Sequence, residues 1–303
     1  MNGARMRYRR MVVGLPQGRA NQSAVEATAD LAEFLQIELL ATFLADATLS
    51  ALAGLSAVRE LRTLDLGWQA LDVAQIARDL DYAARRARRH FAQTIGTRAI
   101  KSSFDIVTGA AAMAGLIRAD DIVAIIEPAH PGERITRQFA ELLDAAFAAA
   151  GAVLIVPRQI AHTRGPIAAL ATNSEDECIY AALQIAAAFS ERLVVVTAPG
   201  ARLPDVILAE AQRLGVKVET VARGGLLAAP SVFSQIETRL RPRLRVLSRG
   251  ALSEDARRLF ASLHGIPLLV VAPNPARAAA APPTEEEYPP HPLPFPPPRA
   301  GEG

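Results

Sequence analysis

The sequence predicts an α/β chain of two tandem, doubly wound units, each with a mainly parallel five-stranded sheet. Two observations carry this. Short aliphatic runs alternate with helix-period segments from residue 11 to 272, and the alternation starts afresh at Gly165. Parallel strands need crossover helices, which cover both faces of the sheet and make the strands continuously apolar. The length of 303 residues fits, being twice a common domain size of about 150.

The first series opens with a strand at 11–14. Ala24, Ala27, Leu31, Ala32 and Leu35 then fall on one face of a helix, with Ser23 as its expected N-cap and Glu26 three residues on. Strands follow at 37–44, 100–107, 121–126 and 152–156, the last ended by Pro157. Between them lie a helix at 110–118 and another whose face is Phe139, Leu142, Leu143, Ala146 and Phe147. Segment 46–98 has no counterpart in the second series and reads as a mostly helical insertion, with Trp68 and a basic run of Arg85, Arg86, Arg88 and Arg89.

The second series has strands at 166–171, 193–197, 216–222, 244–248 and 267–272. Ile179, Ala182, Leu183, Ala186 and Ala187 mark its first helix, and further helices are expected at 204–214, 231–240 and 253–263, the last capped by Ser253. The organisation expected is a tail at 1–10, a first domain at 11–160, a second at 165–273 and a Pro-rich tail at 274–303. Proline removes backbone donors and little apolar surface remains there, so that tail is expected to be disordered and partly polyproline II.

Composition narrows the function classes. The 33 basic and 31 acidic side chains leave a net charge of +2, too little to gather nucleic acid or anionic lipid over a distance. Cys178 is the sole cysteine, so neither an intramolecular disulfide nor a thiolate metal cluster can form, and a reducing cytoplasmic setting is expected. The apolar stretch at 11–13 is too short for a signal sequence, and no run of about 20 apolar residues lies free of charge or proline, so no membrane association is expected. His90, His130, His162, His264 and His291 are scattered, with no metal-ligand spacing among them.

Right-handed crossovers place the ligand crevice of each unit beyond the carboxyl ends of its first and fourth strands. Two stretches of the second unit lie there, IAALATNSEDECIYAALQIAAAF at 167–189 and LRVLSRGALSEDARRLFASLHGIPLLVVAP at 244–273. The first is similar to a strand running into Asp-Gly-Ser and a helix, the second to a strand leading to Ser-Arg-Gly, a helix and a Pro-led strand. In this, and in the order of its elements, the chain resembles the universal stress protein family over about 11–273, which implies a Rossmann-like fold. The family's ATP-binding members have an acidic residue after strand one and a G-x2-G-x9-G-[ST] loop after strand four, where small residues let backbone amides reach phosphate oxygens at a helix N-terminus.

The residues here depart from that pattern. Thr172 takes the acidic position, Asn173 follows, and Ser174 is kept. Gly250 matches the loop's second glycine, Leu247 stands at the first, and Phe260 and Ala261 stand where Gly-Ser or Gly-Thr belongs. In the first unit, Gly14 and Leu15 replace the acidic residue, and Glu127, Pro128, Ala129 and His130 follow strand four, with Gly132 left for a small anion pocket. The resemblance therefore implies a residual anion or nucleotide site at Thr172, Ser174, Ser248, Arg249 and Gly250, against the alternative of helix capping and a solvated arginine.

Other candidates carry less. Glu127 and His130 make an acid–base pairing conceivable, but no nucleophile motif accompanies them, so no catalysis is expected. The arginine run reads as a solvated face lacking aromatics for base stacking. Cys178 lies early in a helix, whose dipole can lower a thiol pKa, or is simply packed. The expectation is a stress-associated, non-catalytic regulatory or interaction protein that needs no cofactor, pairs its two units with each other, and acts as a possible homodimer with an unknown protein partner. The alternative is a switch binding ATP or another adenine nucleotide through the second unit.

Overall fold

The structure, a computed structural model, describes residues 8–15, 22–45, 51, 59–61, 67–70, 72–96, 98–128, 137–222, 239–251 and 265–273. Residues Met1–Pro273 form one compact unit.

In chain order the described elements are β1 (Arg10–Leu15), α1 (Gln22–Phe34), β2 (Glu38–Ala45), β3 (Arg59–Leu61), β4 (Trp68–Ala70), α2 (Val73–Ile95), β5 (Ser102–Thr108), α3 (Gly109–Leu116), β6 (Asp121–Ile126), α4 (Arg137–Ala149) and β7 (Ala152–Val156). After them come β8 (Ile167–Leu170), α5 (Glu177–Phe189), β9 (Leu193–Thr197), α6 (Asp205–Leu214), β10 (Val218–Ala222), β11 (Leu244–Ser248), a single 3-10 turn at Arg249–Ala251, and β12 (Leu268–Val271).

Ten strands make one sheet in the order β10-β9-β8-β11-β12-β7-β6-β1-β2-β5. Within the first five and within the second five all pairings are parallel. The two sets of five expected from the sequence are thus joined edge to edge: β12 and β7 pair antiparallel, with Leu268 opposite Ile155 and Val271 opposite Ala152. Each closing strand covers the edge that the other would otherwise expose.

Alternation along each strand feeds two cores. Met11, Val13 and Leu15 of β1 join a face covered by α1, α5 and parts of α2 and α6, while Val12 joins the opposite face with Met113 of α3 and Phe139, Leu142, Leu143 and Ala146 of α4. Because both faces are packed, β6 (DIVAII), β7 and β12 are buried at every position. The outermost β5 is largely exposed, with Ile106 turned to solvent.

The described residues of segment 46–98 include both helix and strand. They hold α2, capped by Asp72 accepting from the Gln75 amide, but also the antiparallel pair β3–β4, in which Leu61 faces Trp68. Three-residue strands with one apolar residue in RE-L and two in WQA give no period-2 signal. Ser23 lies inside the first turn of α1 rather than at its cap, because the helix starts at Gln22; its hydroxyl reaches the Arg158 carbonyl at 3.4 Å. The basic run on α2 is solvated, with Arg85 in an i,i+4 pair with Asp81 at 2.5 Å. The helices expected at 231–240 and 253–263 lie almost wholly outside the described residues, as do the tails at 1–10 (up to residue 7) and 274–303. Among the described residues, no helix is long and apolar enough to cross a membrane.

Candidate functional site

The crevice of the second half lies where the sheet order reverses, between the carboxyl ends of β8 and β11. Thr172 follows β8, Ser248 ends β11, and α5 begins between them in the chain. All three meet on Asp176. This residue is the N-cap of α5, and its Oδ1 accepts from the Cys178 amide at 3.1 Å. Its Oδ2 accepts from the Thr172 amide at 2.8 Å and from the Thr172 hydroxyl at 2.7 Å. Its Oδ1 also accepts from the Ser248 hydroxyl. Four donors thus converge on one carboxylate in a largely desolvated place.

Burial pushes the Asp176 carboxyl up, but the hydroxyls of Ser248 and Thr172 and the two amides outweigh it and hold the group below its ordinary range. The site therefore contains a fixed internal anion. Its position, at a helix N-terminus with a serine and a threonine donor, is one that an external oxyanion would take.

The residues singled out in the sequence fall apart into two groups. Thr172 and Ser248 belong to the carboxylate cluster. Ser174 is half-buried in the turn before α5, where Asn173 Oδ1 accepts from the Glu175 amide at 2.9 Å. Arg249 leaves the crevice: its Nη2 donates to the Ala150 carbonyl at 3.0 Å, and its guanidinium lies 5.7 Å from the Phe147 ring centroid, so it ties the turn after β11 to α4 and β7. Gly250 is exposed in the 3-10 turn, and a Cβ there would meet nothing within 4 Å. Leu247 is fully buried in the sheet and cannot take part. Phe260 and Ala261 lie outside the described residues.

The acidic position of the family pattern points to Thr172, directly after the strand, and not to Asp176. The signal was present: an Asp immediately before the helix-period run ECIYAAL is an N-cap signature. Cys178, the second residue of that helix, is fully buried, and its Sγ reaches the Leu170 carbonyl at 3.6 Å. Burial, reinforced by the Asp176 charge, pushes its thiol well up, so a dipole-activated thiol is not what this position holds.

In the first half, Leu15 is buried at the end of β1. Gly14 sits in register with Thr42 and Ile125. Glu127 is turned toward β7: Oε2 accepts from the Arg158 amide at 2.8 Å, and its own amide donates to the Val156 carbonyl. His130 and Gly132 lie outside the described residues. Among the described residues no group of three or more His, Cys, Asp or Glu is gathered at metal-binding distance.

No protein-family model matches the sequence. No curated protein matches it either. Solved structures do. The chain is similar to a universal stress protein from Archaeoglobus fulgidus with a TM-score of 0.61 and 11% identity, over 88% of this chain and 97% of that one. It also matches a putative universal stress protein from Pseudomonas aeruginosa, with a TM-score of 0.45 and 14% identity over 91% of this chain and 98% of the other. A universal stress protein solved in complex with cAMP matches over 50% of this chain and 98% of its own, with a TM-score of 0.31 and 15% identity. With the mainly parallel sheet and its flanking helices, the first of these shows that the chain has the Rossmann-like fold of a universal stress protein.

Proposed function

We propose that the protein is a stress-associated, non-catalytic regulatory or interaction protein of the universal stress protein type, acting in the cytoplasm without holding ATP through a Gly-rich loop. The observation that carries this reading is the Asp176 carboxylate seated among the donors of Thr172, Cys178 and Ser248. A triphosphate approaching that cluster meets a buried negative charge whose hydrogen bonds are already made, and at 4 Å two like charges repel by about 4 kcal/mol even at an effective dielectric of 20. Leu247, locked in the sheet, adds no free amide path beside it.

The β7–β12 pairing supports the idea that the two halves satisfy each other within one chain. A homodimer, as proposed from the sequence, then uses a surface other than the closing strands.

The test is a thermal-shift titration of the full chain with ATP, ADP, AMP and cAMP, since a ligand bound only to the native state raises Tm. No saturable shift is expected. An ATP-dependent rise in Tm that Ser248→Ala abolishes would replace this reading with a nucleotide-binding switch.

A further inference from the structure

On the sheet face carrying α1 and α5, a solvent-open pocket of about 60 Å³ lies between the first and second sets of strands. Its walls come from Leu31 of α1, Leu154 and Val156 of β7, and Ile160 of the connection that follows. It lies against the amino end of β11, whereas the carboxylate cluster lies beyond the carboxyl end of the same strand. The two sites are therefore distinct.

Arg243 lines this pocket, immediately before β11. Its guanidinium stacks on Phe189 with its carbon 3.7 Å from the ring centroid and 5.7 Å from that of Phe34, the two rings being 4.3 Å apart. Its backbone amide donates to the Pro166 carbonyl. Among the described residues, its guanidinium makes no hydrogen bond and no ion pair. The carboxylates that feel its charge are engaged elsewhere. Asp30 Oδ1 accepts from Arg98 at 2.7 and 3.2 Å, and Glu191 Oε1 accepts from the Gly165 amide at 3.1 Å. Burial lowers the pKa of Arg243, with Arg164 adding to that and Asp30 and Glu191 opposing it.

A stacked, planar guanidinium with free N–H groups at the edge of an apolar pocket suits bidentate binding of a planar oxyanion. His162 and Thr163, also on the lining, add ring N–H and hydroxyl groups beside it. We propose that this pocket is a binding site for a small organic carboxylate, with Arg243 taking the carboxylate and Leu31, Leu154 and Ile160 taking an apolar body. The few convergent polar groups on mostly apolar walls follow the usual pattern of small-ligand sites. Asp30, also on the lining, disfavours dianions and directs the preference toward a single negative charge.

The experiment is calorimetric and NMR titration of the full chain with sodium benzoate, against benzamide, acetate and inorganic phosphate as comparison probes. Saturable benzoate binding is expected, with benzamide, acetate and phosphate each at least about tenfold weaker, a difference of about 1.4 kcal/mol. Arg243→Gln, with folding checked by circular dichroism, should weaken benzoate by tenfold or more, and Arg213→Gln, on the exposed face of α6, should leave it unchanged. Ala27→Met fills the apolar part without touching Arg243, and should weaken benzoate but not acetate. Absence of saturable benzoate binding overturns the proposal. So does equal binding of benzamide or of phosphate, or benzoate affinity that survives both Arg243→Gln and Ala27→Met.

Discussion

The Ser248 hydroxyl, at the end of β11, donates to the carboxylate of Asp176, 72 residues earlier in the chain and at the cap of α5. This contact ties the end of β11 to the start of α5 across the crevice of the second half. Asp176→Ala removes a helix cap and leaves the Thr172 amide and the Ser248 hydroxyl without their acceptor. A loss of about 2 kcal/mol in urea unfolding is expected, and Asp176→Asn, which caps comparably, should lose less.

The same carboxylate fixes a pH dependence. Its native pKa lies below the ordinary aspartate value of 3.8. The stability it contributes is therefore complete above that value and is lost as pH falls through the lower native one. Urea midpoints measured from pH 6 down to pH 3 should fall more steeply for the unaltered chain than for Asp176→Asn. Parallel curves would show that the cluster does not favour the charged form.

The individual strands, though not their union in one sheet, were legible in aliphatic runs because strands packed on both faces are apolar nearly throughout: IVAII of β6 and AVLIV of β7 are such runs, found within the spans expected. The β3–β4 pair was not, since its strands are too short to show a period. The site was half legible. Thr172 and Ser248 are legible from their place after β8 and β11, but Arg249, implied by the Ser-Arg-Gly resemblance, is not in the crevice, because the chain turns after Ser248 and sends it to Ala150. Arg243 gave no motif at all. Its role depends on Phe34 and Phe189 arriving from two helices far apart in the chain.

Arg10 and Asp121 form a second, purely structural junction. They are opposite each other in the register of β1 and β6, and the guanidinium donates to both carboxylate oxygens at 3.1 and 2.6 Å. The Arg118 amide adds a third donor at 2.8 Å, and Asp121 is almost fully buried. Asp121→Ala strands a half-desolvated arginine, and should cost about 3–5 kcal/mol in urea unfolding. The double change Arg10→Met with Asp121→Leu should cost less than that single one. A single-variant loss under about 1 kcal/mol would mean that solvent already screens the pair.

Two glycines separate packing from freedom. Gly151 opens β7, where its amide donates to the Asp121 carbonyl and its carbonyl accepts from the Ala272 amide, and a Cβ there would come within 2.3 Å of the Ala119 carbonyl oxygen. Backbone must move to admit it, so Gly151→Ala should cost about 2–3 kcal/mol. Gly14 lies where the ATP-binding pattern has its acidic residue, yet a Cβ there meets nothing within 4 Å. Gly14→Ala should change stability by less than about 0.5 kcal/mol. Similar losses at both positions would remove close approach as the explanation for Gly151.

Cys178 reports on how firmly α5 is seated. Its thiol is wholly buried and its pKa is raised, first by burial and then by the Asp176 charge, with Ser248 opposing, so little of the reactive thiolate exists in the native state at neutral pH. Modification by a disulfide reagent should then require opening of the helix N-terminus, at a rate far below that of the urea-unfolded chain. Asp176→Ala lifts both the cap and the neighbouring charge, so labelling should accelerate at denaturant concentrations where the chain is still folded by circular dichroism. Native labelling as fast as that of the unfolded chain would show that the start of α5 stands open to solvent and that the carboxylate cluster does not close the crevice.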